Sequence, residues 1–447
     1  MLESKARAYL EETARKFITL IPQSRLVVGL SGGADSTLVL LLACKMRKLN
    51  PKYHVVAVHC IHGLDADDPI WYEHCKDLCK KVNADEFITP KLNIVYGNGR
   101  SPEEVSRAER YRALLENLQD GVLMLGHQAD DEVENFLLSL KRGSGPEGLS
   151  GMSEIKTDRR GTIVRPLLNL HKREIEEIIK ALGFDFVYDI SNSYLKFERN
   201  FMRLKVLPLL RERFKGIDGA ILRSSHLCAL EHDLASRYIK PLYEKALTQF
   251  HGTCALDLRE IDLEDESAAI FILRSFLKDA MSFNPEYACV LEALKFAHAT
   301  HDNFAKLKLE GNLHLRRYLD YLLVVPDFVP PTLGVYPLKI GETLVLGDFE
   351  YSLEKCSIKY EAFPVTEDGV LLDFSYKGSM KLKPLSRNLS REIKKLFGEY
   401  KVPVWERSFM CLVKTKDNED LALGNLFSTK KACLNGYCLK IVFKEKV

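Results

Sequence analysis

From Arg25 to about Lys215 the chain alternates short β-branched runs with stretches of helical spacing. RLVVGL at Arg25–Leu30 precedes a helix pattern from Ser36, YHVVAVHC at Tyr53–Cys60 precedes one running through Trp71 to Val82, and GVLMLGH at Gly121–His127 precedes one from Ala129. That rhythm predicts βαβ units, hence an α/β fold with a doubly wound, mainly parallel sheet whose ligands sit at the carboxyl ends of the strands. From Ile217 to Val325 the period becomes mostly helical (AILRSSHLCALEHDLASRYIKPLYEKAL), closing on strand-like runs such as NLHLRRYLDYLLVV. A small helical domain is expected there. PDFVPPTLG holds three prolines in nine residues and reads as a linker. Alternating strand patterns and a basic helix near Ser390–Phe397 follow, so the expected division is 1–216, 217–325 and an α+β domain over 326–447.

Composition narrows the class. With 46% hydrophobic and 28% charged residues the chain reads as folded throughout. No run approaches the ~18 apolar residues of a membrane span, and MLESKARAYLEETARKF is a charged amphipathic helix, so a cytoplasmic protein without a membrane partner is expected. The 11 cysteines form no C-x-x-C pair, which argues against a disulfide framework or a zinc ribbon. Cys75 and Cys79 continue the helical stripe of Trp71, Leu78 and Val82 and are read as core. A net charge of +2 neither demands nor excludes nucleic acid.

The chemistry begins at Leu26–Leu42, LVVGLSGGADSTLVLLL, where a hydrophobic strand turns through Ser31, Gly32, Gly33 and Ala34 into a helix opening with Asp35 and Ser36. Glycines allow close backbone approach and a helix N-terminus adds positive potential, so a phosphate is expected here. The turn is neither a Walker A loop nor G-x-G-x-x-G. A carboxylate beside a phosphate is repelled unless a divalent cation sits between them, which makes Asp35 a Mg²⁺ ligand in this reading. Further along, GHQADDEVEN at Gly126–Asn135 places Asp130, Asp131 and Glu134 on the opening turns of a helix, with Glu134 near both aspartates. Arg199 and Arg203 lie four apart on one helical face.

The S-G-G-x-D-S turn resembles that of the ATP pyrophosphatases, whose fold is that of the adenine nucleotide alpha-hydrolases. The resemblance implies ATP cleaved to AMP and pyrophosphate. EVSRAERY at Glu104–Tyr111, GHQADDEVEN, KRGSGPEGLSGM from Lys141, RPLL at Arg165–Leu168 and SNSYLKFERNFMRLKVLPLL ending at Leu210 together resemble the signature blocks of the tRNA(Ile)-lysidine synthetases. Five blocks in order are a far more specific signal than any one. Two departures stand at HGLDADD: within it Asp65 replaces a usual basic residue, and just before it Ile61 replaces a second His or acid often seen there.

The resemblance implies that the wobble cytidine in the CAU anticodon of tRNA(Ile) is adenylated and that free lysine then displaces AMP. Asp131, or alternatively Asp130, would deprotonate the ε-amine, and Glu134 would help hold the lysine. Negative charge in the first step calls for arginines beside Mg²⁺, supplied by Arg199 and Arg203 and by Arg107, Arg112 and Arg142 near the nucleotide with His127. Lys196–Lys215 carries seven basic residues against two acids and Lys377–Lys401 eight against two, so both are candidate tRNA faces. No protein partner is implied. A tRNA thiotransferase with the same loop is the alternative, though its chemistry calls for a cysteine pair.

Overall fold

The computed structural model describes residues 2–61, 68–92, 102–158, 160–188, 194–299, 305–356, 361–430 and 436–444, the side chains of 102–104 excepted. Asp65 and residues 191–193 of the last signature block lie outside them. The chain forms two compact units, Met1–Ala235 and Ser236–Val447.

In the first unit the elements run α1 (Leu2–Leu20), β1 (Arg25–Gly29), α2 (Ala34–Leu49), β2 (His54–Val58), α3 (Asp68–Val82), β3 (Glu86–Ile88), α4 (Pro102–Glu116), β4 (Val122–Met124) and α5 (Ala129–Lys141). After them come α6 (Pro146–Leu149), β5 (Ile155–Asp158), β6 (Gly161–Val164), α7 (Lys172–Ala181), α8 (Glu198–Phe201), α9 (Leu207–Arg213) and α10 (Ile217–Ala246), which continues into the second unit. The six strands order as β3-β2-β1-β4-β6-β5, parallel except for the β5–β6 pair. The doubly wound, mainly parallel sheet expected from the alternation is therefore present. Side chains alternate between its faces because the strand period is two. Leu26, Val28, Val55, Ala57 and Met124 meet α1, α2, α3 and α7 on one face, while Val27, Val56, Val58 and Leu123 meet Leu114 of α4 and Leu118 just beyond it on the other. Cys75 and Cys79 belong to the first of these cores, and burial pushes each thiol up to about 12. Chain order reverses beside β1, so the crevice of such a sheet opens at the carboxyl ends of β1 and β4.

The second unit contains β7 (Leu247–Phe250), β8 (Thr253–Asp257), α11 (Glu266–Met281), α12 (Tyr287–His298), β9 (Lys306–Lys308), β10 (Leu313–Tyr318) and β11 (Tyr321–Pro326). The helical stretch thus brings its own antiparallel sheet, β7-β8-β11-β10-β9, and Leu256, Leu315 and Leu322 of that sheet pack on Ile272, Leu273, Phe276 and Val290 of the helices. The C-terminal part is strand-rich: a five-stranded and a three-stranded sheet enclose Tyr351, Phe363, Leu372 and Val413. The basic helix falls at Ile393–Glu399. Trp405 is buried with Phe250, Tyr318 and Val325, so this part shares a core cluster with the β7–β11 sheet.

Candidate functional site

At the end of β1 the backbone turns through Gly32 at φ +89°, a left-handed conformation, and a Cβ there would stand 3.2 Å from Cys75 Sγ. The turn is tied by Ser36, whose Oγ donates to the Gly33 carbonyl at 3.0 Å and accepts from the Ser31 amide at 3.2 Å. From the other side the Val187 amide donates to the Gly32 carbonyl at 2.9 Å. Gly126, closing β4, lies so near that a Cβ would fall 2.8 Å from the Asp35 carbonyl carbon and 3.0 Å from the Ser36 nitrogen. Only glycine lets β4 meet the start of α2 this closely, and that contact brings Asp35 to Asp131. Among the described residues the Asp35 Oδ1 is buried without a hydrogen-bond partner. Burial, and after it the repulsion of Asp131, pushes the Asp35 carboxyl up to about 7, against the pull of Lys172 and Arg203.

Helix α5 opens with a reciprocal cap: Gln128 Oε1 accepts from the Asp130 amide at 2.7 Å, and the Gln128 amide donates to Asp131 Oδ2 at 3.1 Å. Asp131 Oδ1 faces Arg203 at 3.7 Å. Asp130 is engaged differently. Its Oδ1 accepts from Arg211 Nη2 at 2.6 Å, its Oδ2 accepts from the Lys172 amide at 2.9 Å, and His171 Nδ1 lies at 3.5 Å. Burial works against its charge, but the Lys172 amide, His171 and Arg211 together hold the carboxyl below the usual range. Arg211 in turn binds Asp218 at 2.9 Å.

Glu134 has no exposed surface, and its two oxygens accept from Arg203 Nε and Nη2 at 2.6 and 2.9 Å. Arg199 approaches the same carboxylate at 3.7 Å and donates to Asn135 Oδ1. The two arginines thus converge as their spacing predicts, on a segment where α8 passes through a π turn, Met202–Val206, into α9. Glu134, expected to help hold the lysine, is enclosed here by Arg203 and Arg199.

His127 follows β4, and burial, then the charges of Arg165, Arg107, Arg199 and Arg110, push its ring down to about 3, leaving it neutral at physiological pH. Arg107 therefore stands with this group, at 5.8 Å over the Tyr111 ring. Arg112 does not: its exposed guanidinium pairs with Glu109 at 2.5 Å. Arg142 caps α5 from the surface, donating to the Leu138 carbonyl at 3.1 Å. The structure gathers Ser31, Gly32, Gly33, Ala34, Asp35, Ser36, Asp130, Asp131, Glu134, Arg199 and Arg203 around the crevice and leaves Arg112 and Arg142 at solvent.

Comparison with known proteins bears on the whole chain. A PP-loop domain model matches residues 4–210, and a TilS substrate C-terminal domain model matches residues 372–440. The tRNA(Ile)-lysidine synthase of Vibrio parahaemolyticus is 34% identical over 412 residues, covering 91% of this chain and 92% of that protein. The chain belongs to the tRNA(Ile)-lysidine synthase family. Its namesakes in Vibrio campbellii (33% over 423 residues; 90% and 92% covered) and Histophilus somni strain 2336 (30% over 403 residues; 87% and 92%) are similar to it in the same way. Among solved structures, a U34-tRNA thiolase from Methanococcus maripaludis overlaps 51% of this chain and 80% of its own at 15% identity, with a TM-score of 0.42. That overlap is too slight to bear on function.

Within this lysidine synthase family member the structure adds groups, a backbone amide among them, that sequence reasoning did not single out. Lys172 and Arg211 support Asp130 from positions 42 and 81 residues away. Glu132, buried on α5, accepts the Met152 amide at 2.9 Å and so fastens the KRGSGPEGLSGM segment. Arg211 had a signal as one charge in the basic Lys196–Lys215 stretch, and Glu132 as a member of the GHQADDEVEN block.

Proposed function

We propose that this enzyme joins free lysine to carbon 2 of the wobble cytidine in the CAU anticodon of tRNA(Ile), converting ATP to AMP and pyrophosphate through an adenylated cytidine. The observation that carries the reading is the meeting of a phosphate loop and a carboxylate pair in one crevice, in a chain that matches its family over nine-tenths of its length. In this reading residues 1–216 are catalytic, while 217–325 and 326–447 contact the tRNA in the cytoplasm.

The loop amides of 31–36 and the α2 N-terminus hold the ATP phosphates. A buried oxygen with no hydrogen-bond partner among the described residues, on a carboxyl raised to about 7 by its surroundings, suits a divalent cation, so Asp35 would hold Mg²⁺, which supplies Lewis-acid charge to the phosphates when bound. Arg203, Arg199 and Lys172 offset charge as cytidine oxygen 2 attacks the α-phosphate and pyrophosphate leaves. Glu134 holds Arg203 in place. Asp131 then takes a proton from the lysine ε-amine, because Asp130 already accepts from Arg211 and the Lys172 amide. A thiotransfer reading finds no C-x-x-C in the sequence, and the thiol of Cys60, just past β2, is pushed up to about 11 by burial.

The test is incubation of the purified protein with ATP, labelled lysine and each of the isoleucine and methionine tRNAs bearing CAU. Lysine transferred to the isoleucine tRNA alone is expected. Transfer to neither overturns the reading, and transfer to both removes the specificity.

A further inference from the structure

The crevice must admit a nucleobase between the phosphate loop, which holds the α-phosphate, and α5, which holds the carboxylates. One segment touches both. Val187 is hydrogen-bonded to Gly32 at 2.9 Å, and the next residue, Tyr188, keeps 61% of its surface exposed. Lys172, whose amide binds Asp130 at 2.9 Å, places its ammonium 5.9 Å from the Tyr188 ring centroid. An open aromatic face with a cation beside it therefore stands where the two halves of the site join.

The arrangement recurs nearby. Tyr194 is 49% exposed, and Lys196 lies 5.7 Å from its ring and 4.9 Å from that of Phe197. Asn200, buried on α8, donates to the Tyr194 carbonyl at 3.0 Å and fixes the backbone that presents the ring. Tyr188 and Tyr194 are six residues apart, so they lie within about 20 Å of one another, a span of a few nucleotides. A solvent-exposed tyrosine ring costs an apolar surface left in water, and two of them with lysines at their faces match a ligand that is flat, unpaired and anionic at its edge. Double-stranded RNA hides its base faces, whereas loop bases can splay and stack on such rings.

We propose that Tyr188 and Tyr194 form a stacking ledge for the unpaired anticodon-loop bases on either side of the reacting cytidine, with Lys172 and Lys196 meeting the adjoining phosphates. The ledge rests on the lysidine reading, since it names how that site would grip its RNA. Each ring presents a π face to one base, the lysine charge answers the phosphate of the same nucleotide, and the cytidine between them is directed to the phosphate loop. Recognition of this kind tolerates base identity, so the ledge contributes affinity and geometry rather than reading the anticodon.

The experiment places 2-aminopurine at the middle anticodon position of the isoleucine tRNA and follows its fluorescence with the full-length enzyme. The wild type and the variants Tyr188→Phe and Tyr194→Phe should quench the probe. Tyr188→Ala and Tyr194→Ala should each raise the KM for tRNA by roughly tenfold while ATP affinity stays at the wild-type value, and the double variant should lose the quench. Should an alanine variant melt early, Tyr→Leu at the same position removes the π face and keeps the bulk. Wild-type KM and quench in the alanine or leucine variants would overturn the ledge, as would a raised KM with undiminished quench in the double variant. A wild type that quenches the probe yet transfers no lysine would instead overturn the lysidine reading alone.

Discussion

Asp130 and Asp131 are neighbours in sequence with divided labour. Asp130 accepts from Arg211 and from the Lys172 amide, while Asp131 completes the Gln128 cap and faces Arg203 at 3.7 Å. Asp131→Asn should therefore form adenylated tRNA from labelled ATP but incorporate little lysine. Asp130→Asn should slow both steps and lower stability by about 1–3 kcal/mol, since two donors lose a charged acceptor. Equal loss of both steps in Asp131→Asn would refute its role as base. Asp35 gives a pH signature. Its carboxyl titrates at about 7 in the fold against an ordinary value of 3.8, so the folded protein holds that proton more tightly than the unfolded chain. The associated stability is fully present below pH ~4 and is lost as pH rises through ~7. Asp35→Asn should then stabilise the metal-free protein at pH 8 relative to wild type, by at most about 4 kcal/mol for three pKa units and by less because water still reaches part of the side chain. At pH 5 the advantage should shrink. Melting with Mg²⁺ and ATP should restore the wild type and not the variant; an advantage equal at both pH values would contradict the assignment.

The working unit at the next scale is strand plus following helix. β1 with α2 supplies the phosphate loop, and β4 with α5 supplies the carboxylates. What joins them is Gly126, because its missing side chain lets the end of β4 touch the first turn of α2. Gly126→Ala should push these elements apart, at a cost of about 1–3 kcal/mol, and weaken ATP binding measured by calorimetry. Wild-type ATP affinity in that variant would show that the close approach does not set the loop. These elements were legible in sequence because a hydrophobic strand, a glycine turn and an apolar helix are local patterns. The pairing of α5 with α8 and α9 was not, since Arg203 finds Glu134 across 69 residues and nothing local announces that partner.

At the scale of the molecule, the reaction asks for a tRNA body as well as an anticodon, and the second unit carries a basic surface. Lys381, Arg387, Arg391 and Lys395 line an open groove of about 630 Å³ beside Ile393–Glu399. Lys394 and Lys395 are 62% and 57% exposed and share Glu392 at 3.3 and 3.5 Å, weak ties in water. Replacing both with alanine should weaken tRNA binding and lower the slope of log affinity against log salt by about one for each phosphate no longer neutralised, with ATP binding intact. An unchanged slope would remove this face from the tRNA path.

By itself the sequence determined what depends on near neighbours and on order along the chain. The period of apolar residues dictated the βαβ core, the glycine turn with its acid raised the expectation of an anion and cation site, and five ordered blocks pointed to the family. Tertiary structure decided whatever depends on distant chain segments meeting. It enclosed Glu134 under Arg203, left Arg112 with Glu109 in water, committed Asp130 to Arg211 and Lys172, and turned Tyr188 outward beside the phosphate loop. The physical reason is that a side chain's charge and hydrogen-bonding capacity are written in its type, whereas the partner that consumes them is chosen by packing. An aspartate already bound by an arginine and an amide and one held at a helix cap with an arginine standing off at 3.7 Å are the same letter in the sequence.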